Sequence, residues 1–228
     1  MANEEEKEAA GRAAAKLVRD GDVVGLGTGS TAYFAVTALG ERVKSGLKIV
    51  GIPTSLQTAD LARAVGIRLT TLDEHQEIDI TIDGADEVDK NLNLIKGGGG
   101  ALLREKVVAS ASKKMVVVAD SSKVVSVLGK FPLPVEVIPF ARTVVEKRIT
   151  ALGASIKLRT DPDGSPYITD NGNQILDCSF GKITDPAALA SALNAMPGLV
   201  EHGLFIGLGT IALVGRGERV EEIRRIGQ

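Results

Sequence analysis

The sequence predicts an α/β protein: a mostly parallel sheet with helices on both faces, into which a smaller α+β domain is inserted. Three observations predict this. From the N-terminus to Ala119, short apolar runs alternate with helical patterns, the rhythm of βαβ units. The polar loops Gly27–Thr31, Thr54–Ser55, Asp83–Asp86 and Asp120–Lys123 each lie just after an apolar run. They therefore share one edge of the sheet, the edge where such folds bind ligands. Past Phe131-Pro132-Leu133-Pro134 the order changes to β-α-β-β-α-β, that of a small ferredoxin-like unit.

The elements follow in order. Residues 4–19 are rich in Ala, Glu and Lys, with Ala9, Ala13, Lys16 and Leu17 at helical spacing, and Asp20-Gly21-Asp22 ends the helix. Val23–Leu26 is a strand, and a glycine-rich turn leads from it into a helix that runs to about Lys44. Leu47–Ile52 is the next strand, Ser55–Val65 a helix with Ser55 as N-cap, and Ile67–Leu72 a further strand. Ile78–Ile82 is a strand that stops at Asp83-Gly84-Ala85-Asp86. Leu92–Ile95 leads to Lys96 and four glycines, and Ala101–Lys106 opens a helix. Met115–Ala119 is a continuous apolar strand. In the second part, Val135–Ile138 is a strand, Ala141–Leu152 a helix and Ser155–Arg159 a strand. Asp161–Gly164 is a turn, and residues 166–180 hold one or two strands. Pro186–Met196 is a helix capped by Asp185, and Val200–Phe205 is a strand. Ile211–Val214 is one more apolar strand, which returns to the first sheet. The larger domain then comprises residues 1–130 plus 206–228, and the insertion residues 131–205.

Composition excludes several classes of function. Lys plus Arg number 27 against 29 Asp plus Glu, a net charge of −2, so no global field recruits nucleic acid or an anionic membrane. An anionic ligand has to be met by local basic residues. The single cysteine, Cys178, excludes an internal disulfide and suits a reducing compartment. The N-terminus is acidic with no apolar signal core, and no apolar stretch is long enough to span a membrane, so the expected location is the cytoplasm.

Three groups of residues can carry chemistry. The first is the strand, glycine turn and helix at 25–31, which makes an anion site because first-turn N–H groups are unpaired and the helix dipole favours negative charge. The turn also fits G-x-G-x-x-A, a loose dinucleotide fingerprint. That fingerprint needs an acid at the end of the next strand, and Leu47–Ile52 ends instead in Pro53-Thr54-Ser55. A phosphate loop passes this test and a dinucleotide site does not. The second group is Asp83 and Asp86 with Lys96 and Gly97–Gly100. Taken alone, two turn aspartates read better as solvated residues than as a site, and with Asp89 they stand three apart, the wrong spacing for a calcium loop. An ammonium beside a bare glycine backbone can hold an oxyanion. The third is Glu105, whose helical neighbours Ala101, Leu102, Val108 and Ala109 are apolar. Desolvation there raises a carboxyl pKa toward that of a general base at neutral pH. His75 and His202 lie away from these loops, which argues against histidine catalysis and a zinc site. Cys178 reads as a small core residue.

GLGTGST at 25–31, DGADEVD at 83–89, KGGGGALLREK at 96–106 and DSSK at 120–123 together resemble ribose-5-phosphate isomerase of the A type. The likeness continues through FPLPVEVIPFA at 131–141, TDNGNQILD at 169–177, NAMPGLVEHGLF at 194–205 and ALVG at 212–215. The resemblance implies a Rossmann-like larger domain, a smaller α/β domain and a homo-oligomer, with a dimer favoured. It implies interconversion of ribose 5-phosphate and ribulose 5-phosphate through an enediolate, with neither metal nor organic cofactor. Position by position it makes Glu105 the base that moves a proton between C2 and C1. Thr28, Gly29, Ser30 and Thr31 match the substrate loop, with Ser30 and Thr31 on the phosphate. Asp83, Gly84, Ala85 and Asp86 match residues near the reactive end, Asp83 in ring opening. Lys96, Gly97, Gly98 and Gly99 match the loop on the sugar oxygens, and Lys7 and Lys123 basic ligand contacts. The implied catalytic set is Glu105, Asp83, Asp86 and Lys96. Two rival readings stand beside it: a sugar-phosphate sensor, which has no need of Glu105, and an acyl-CoA transferase, which would want a nucleotide pocket that no motif suggests.

Overall fold

The computed structural model of the protein describes residues 2–217 and 219–225. The first part of the chain runs α1 (Ala2–Ala15), β1 (Val23–Leu26), α2 (Ser30–Lys44), β2 (Val50–Pro53), α3 (Leu56–Ala64), β3 (Arg68–Leu69) and β4 (Ile80–Gly84). It continues through β5 (Glu87–Val88), β6 (Leu94–Ile95), α4 (Leu102–Ser110) and β7 (Met115–Asp120). Then come β8 (Leu133–Val137), α5 (Arg142–Ala151), β9 (Ser155–Leu158), β10 (Gln174–Ser179), α6 (Pro186–Asn194) and β11 (Leu199–His202). The last strands are β12 (Leu204–Phe205), β13 (Ile211–Arg216) and β14 (Arg219–Arg224).

The main sheet has seven strands in the order β14-β13-β7-β4-β1-β2-β3, parallel throughout except for the β13–β14 pair. From β3 to β13 this is the doubly wound order, in which the winding reverses between β1 and β4. Both faces are covered, and the two-residue period of a strand sorts the side chains between them. In β7, Val116 and Val118 join the core shared with α1 and α2, while Met115 and Val117 join the core that holds Leu94 and Phe205. In β13, Ile211 and Leu213 go to the first core and Ala212 and Val214 to the second. Such strands read as unbroken apolar runs, which is why they are legible.

A second sheet, β11-β8-β10-β9, is wholly antiparallel and carries α5 and α6 between its strands. Its order, with the first strand between the fourth and third, is that of a ferredoxin-like unit. A small third sheet, β12-β6-β5, ties the chain after β11 back to the segment before the glycine loop. Among the described residues no helix is long and apolar enough to cross a membrane.

Several boundaries differ from expectation for local reasons. The first helix stops at Ala15 rather than residue 19, because Arg42 reaches over and donates to the carbonyls of Ala15 and Val18. The strand expected at Leu47–Ile52 begins only at Val50. The polar groups of Lys48 are spent earlier, its N–H on Asp20 Oδ1 and its C=O on Gly21 N–H. The run expected at Ile67–Leu72 shrinks to two residues at the sheet edge. Asp83 lies inside β4, which ends at Gly84, rather than on the turn after it. The single strand expected at Val200–Phe205 is split at Gly203 between two sheets. A Cβ there would lie 2.2 Å from the Lys96 carbonyl, and Lys96 N–H donates to Gly203 O at 2.9 Å. The short β5 and the charged edge strand β14 had no apolar run to announce them.

Candidate active site

The crevice outside β1 and β4 is where the winding reverses, so loops from both strands diverge there and leave room for a ligand. After β1 the chain passes directly against Asp83. A Cβ on Gly27 would lie 2.3 Å from Asp83 Oδ1, so only glycine fits. Gly29 caps α2 with φ of +108°, a conformation that favours glycine, and brings no side chain of its own. The first turn of α2 is therefore open to an anion, with Ser30 and Thr31 beside it. The Thr28 side chain turns the other way. Its Oγ1 lies 2.7 Å from Thr54 Oγ1, 2.9 Å from Ser55 Oγ and 3.0 Å from Thr58 Oγ1. Ser55 is also the N-cap of α3, accepting from Thr58 N–H. This hydroxyl cluster pins the loop to α3.

On the far side of the crevice three ionisable side chains are buried together: Asp83, Lys96 and Glu105 are 0%, 2% and 3% exposed. Lys96 Nζ lies 3.0 Å from Asp83 Oδ2 and 3.4 Å from Glu105 Oε2, and it donates to Gly84 O at 2.6 Å. Phe205 lies under the ammonium, its ring centre 5.4 Å away, a cation–π contact. Asp83 Oδ1 accepts the N–H groups of Thr28 and Gly84. Glu105 Oε2 has no hydrogen-bond partner among the described residues.

The cluster holds two acids and one base away from water, and this sets its titration. Burial pushes Glu105 up to about 8; Lys96 opposes the shift, and the negative charges of Asp83 and Asp86 add to it. Burial also raises Asp83, against the pull of Lys96. For Lys96, burial alone would lower the pKa, but the two carboxylates outweigh it and keep the ammonium charged. The group is thus a charged lysine beside two carboxyls that burial shifts upward, with Glu105 poised to exchange a proton near neutral pH.

The glycine loop closes the crevice. Asp86 accepts Gly98 N–H at 2.7 Å, and Gly97 has φ of +99°. The resulting cleft, about 80 Å³, is lined by Thr28–Thr31, Gly84–Asp86, Lys96–Gly99, Glu105 and Lys123. Asp83 stands behind its wall. Lys7 lies instead in a larger adjoining groove of about 1020 Å³, which shares Gly29 and Ser30 with the cleft. That groove is larger, but the buried acid is in the cleft. The residues expected to act together thus meet in one place, with Lys7 at its outer side.

Other expected bystanders lie elsewhere. His75 bonds Thr70, Cys178 is buried in the core of the antiparallel sheet, and His202 is buried beside Lys106, its pKa pushed down to about 3 by burial. Among the described residues no three His, Cys, Asp or Glu are placed to hold a metal ion. Sequence reasoning missed Thr58, Phe205, Arg159 and Asp177. Thr58 could have been found as the third hydroxyl after the Thr54-Ser55 cap. The others act across long sequence separations and leave no local signal.

Comparison with known proteins shows what the whole chain is similar to. Residues 50–219 match the family described as Ribose 5-phosphate isomerase A (phosphoriboisomerase A). A relative from Parvibaculum lavamentivorans named ribose-5-phosphate isomerase A is 54% identical over 94% of this chain and 96% of its own. A solved D-ribose-5-phosphate isomerase in complex with phospho-erythronic acid superposes with a TM-score of 0.96 at 42% identity, covering 99% of this chain and all of its own. The ribose 5-phosphate isomerase A structure from Methanocaldococcus jannaschii gives 0.91 at 44% identity, over 96% and 97% of the two chains.

Proposed function

The chain belongs to the ribose 5-phosphate isomerase A family, whose members are isomerases that interconvert ribose 5-phosphate and ribulose 5-phosphate, and from that premise we propose how its residues divide the work. The phosphate binds at the first turn of α2, on Ser30 and Thr31, with Lys123 and, from the outer groove, Lys7 supplying positive charge. It reacts with nothing; its binding energy holds the sugar's other end beside Glu105. Asp83 assists opening of the furanose ring.

In the open aldose, Glu105 as carboxylate takes the C2 proton, and the electron pair moves to the C1 carbonyl oxygen. The O2 hydroxyl proton passes to O1, and protonated Glu105 returns its proton to C1, leaving a C2 ketone. Each proton lost is regained, and no electrons leave the sugar. Lys96 and the Gly99 N–H, on a loop that Asp86 holds through the Gly98 N–H, stabilise the enediolate oxygens. Each such donor is worth on the order of 10²–10³ in rate. The observation that carries this reading is the buried Glu105 beside Lys96, on the same small cleft as Ser30 and Lys123.

The reaction then needs no metal. The purified chain should isomerise ribose 5-phosphate at an undiminished rate in chelator. Glu105 must be ionised to act, so kcat/KM should fall about tenfold per pH unit below a pKa of about 8 and level off above it. Loss of turnover in chelator, or a flat profile between pH 6 and 9, would remove this assignment. Phospho-erythronic acid should compete with substrate, because its carboxylate mimics the paired enediolate oxygens.

We also place the enzyme in the cytoplasm, as the single buried thiol suits, and read it as a homo-oligomer, a dimer by preference. Exposed apolar side chains follow closely at Ile138, Phe140 and Val144, and Phe140 is 96% exposed, a sign of an interaction surface. Phe140→Asp should shift sedimentation of an oligomeric parent to the monomer. A parent that already sediments as a monomer would refute the assembly.

A further inference from the structure

We propose that Arg159, gripped by Asp177, is a positioning residue that sets the peptide orientation of the glycine loop. It would thereby fix both Asp86 and the donor that faces the reacting carbons. The proposal rests on the reading above, in which that loop holds the enediolate oxygens.

Arg159 follows β9, and its side chain is 15% exposed. Its Nε and Nη2 donate to the two carboxylate oxygens of Asp177, on β10, at 3.0 and 2.5 Å. Its Nη1 donates to the carbonyls of Gly97 and Gly98 at 2.9 and 3.1 Å. The guanidinium thus ties the antiparallel sheet to the loop between β6 and α4.

The effect on the loop follows from peptide geometry. In a trans peptide the C=O and the next N–H point in opposite directions. Drawing the Gly97 and Gly98 carbonyls toward Arg159 turns the N–H groups of Gly98 and Gly99 away from it. Gly98 N–H then meets Asp86 Oδ2 at 2.7 Å. Gly99 N–H has no acceptor among the described residues, and Gly99 lines the cleft. Four consecutive glycines have no side chains to resist a peptide flip, so the orientation has to be imposed from outside. Gly100 N–H also bonds the Gly97 carbonyl, but among the described residues the Gly98 carbonyl is held by Arg159 alone. A planar fork with donors on two edges can grip a carboxylate and two carbonyls together; a lysine ammonium cannot.

The test compares Arg159→Gln and Arg159→Lys with the parent chain. Both variants should lose at least tenfold in kcat with KM for ribose 5-phosphate within about threefold. Both should bind phospho-erythronic acid at least tenfold more weakly yet bind inorganic phosphate unchanged, because the α2 site is untouched. A lysine variant with parental kcat would overturn the proposal, since charge alone would then suffice. So would equal losses of phosphate and phospho-erythronate binding, which would mean general disorder. Should Arg159→Gln fail to fold, Asp177→Asn carries the test: it keeps the arginine but loosens its grip, and parental kcat there also overturns the proposal. Amide hydrogen exchange at Gly98 reads the clamp without turnover and should quicken in the variants. A parent chain whose Gly98 protection depends on Arg159 but which never isomerises the sugar would sink the proposed function and confirm the clamp.

Discussion

Glu105→Gln is expected to bind ribose 5-phosphate about as tightly as the parent and to lose about 10³-fold in turnover, within the ~10²–10⁴ that a positioned base contributes. The amide keeps the shape of the carboxyl and can still face the Lys96 ammonium, which lies 3.4 Å from Glu105 Oε2, but it cannot take the C2 proton. The same substitution should stabilise the fold at alkaline pH. The folded pKa of Glu105, about 8, lies above its ordinary value of 4.5, so between these values the native state holds a proton that the unfolded chain has released. Native stability therefore declines as pH rises from about 4.5 to 8, the range over which the base becomes active. Removing the acid abolishes the decline. Thermal unfolding should show Glu105→Gln above the parent at pH 8.5, with the gap closing toward pH 5. A variant with parental turnover would move the base elsewhere, to Asp83 first. A stability gap of the same size at both pH values would show that Glu105 does not carry the titration.

What the sequence made legible follows from the range of the forces involved. Glu105 could be found because its burial is written locally, in Ala101, Leu102, Val108 and Ala109 one turn away on either side. The strands β7 and β13 could be found because both of their faces are covered and Met115–Ala119 and Ile211–Val214 are apolar throughout. The phosphate turn was separable from a dinucleotide turn because the missing acid is a local absence. Asp83 was harder. Taken alone it reads as a turn residue, and only the closing of β4 against β1 and β7 turns it into a fully buried acid. Lys96 was placed near an oxyanion but not recognised as wholly enclosed, since its burial depends on Phe205 arriving from the far end of the inserted segment. Arg159 was beyond reach. Its link to Gly97 spans 62 positions, and an arginine ending an amphipathic strand looks like any solvated edge residue.

The largest effect on stability should come from Lys96→Met, and its pH dependence separates the charge argument from simple loss of packing. Methionine can fill the lysine's buried volume against Phe205, so the cavity cost is small. Removing the ammonium, however, leaves Asp83 and Glu105 buried with nothing to balance them, and breaking a buried ion pair in this way costs about 3–5 kcal/mol. The two acids can escape that cost only by binding protons. Their folded pKa values should rise further, so the native state takes up protons that the unfolded chain releases, and the deficit must grow with pH. Urea unfolding should place Lys96→Met well below the parent at pH 8.5 and much closer to it at pH 5. Turnover should be lost at every pH, because protonated acids are no bases and the enediolate has lost its ammonium. The double variant Asp83→Asn with Lys96→Met removes both members of the pair. It should recover much of the stability at pH 8.5, since a neutral pair of similar volume is tolerated where a lone charge is not, yet stay inactive. A deficit independent of pH, or no recovery in the double variant, would mean that Lys96 holds the site by shape and by its bond to the Gly84 carbonyl rather than by charge.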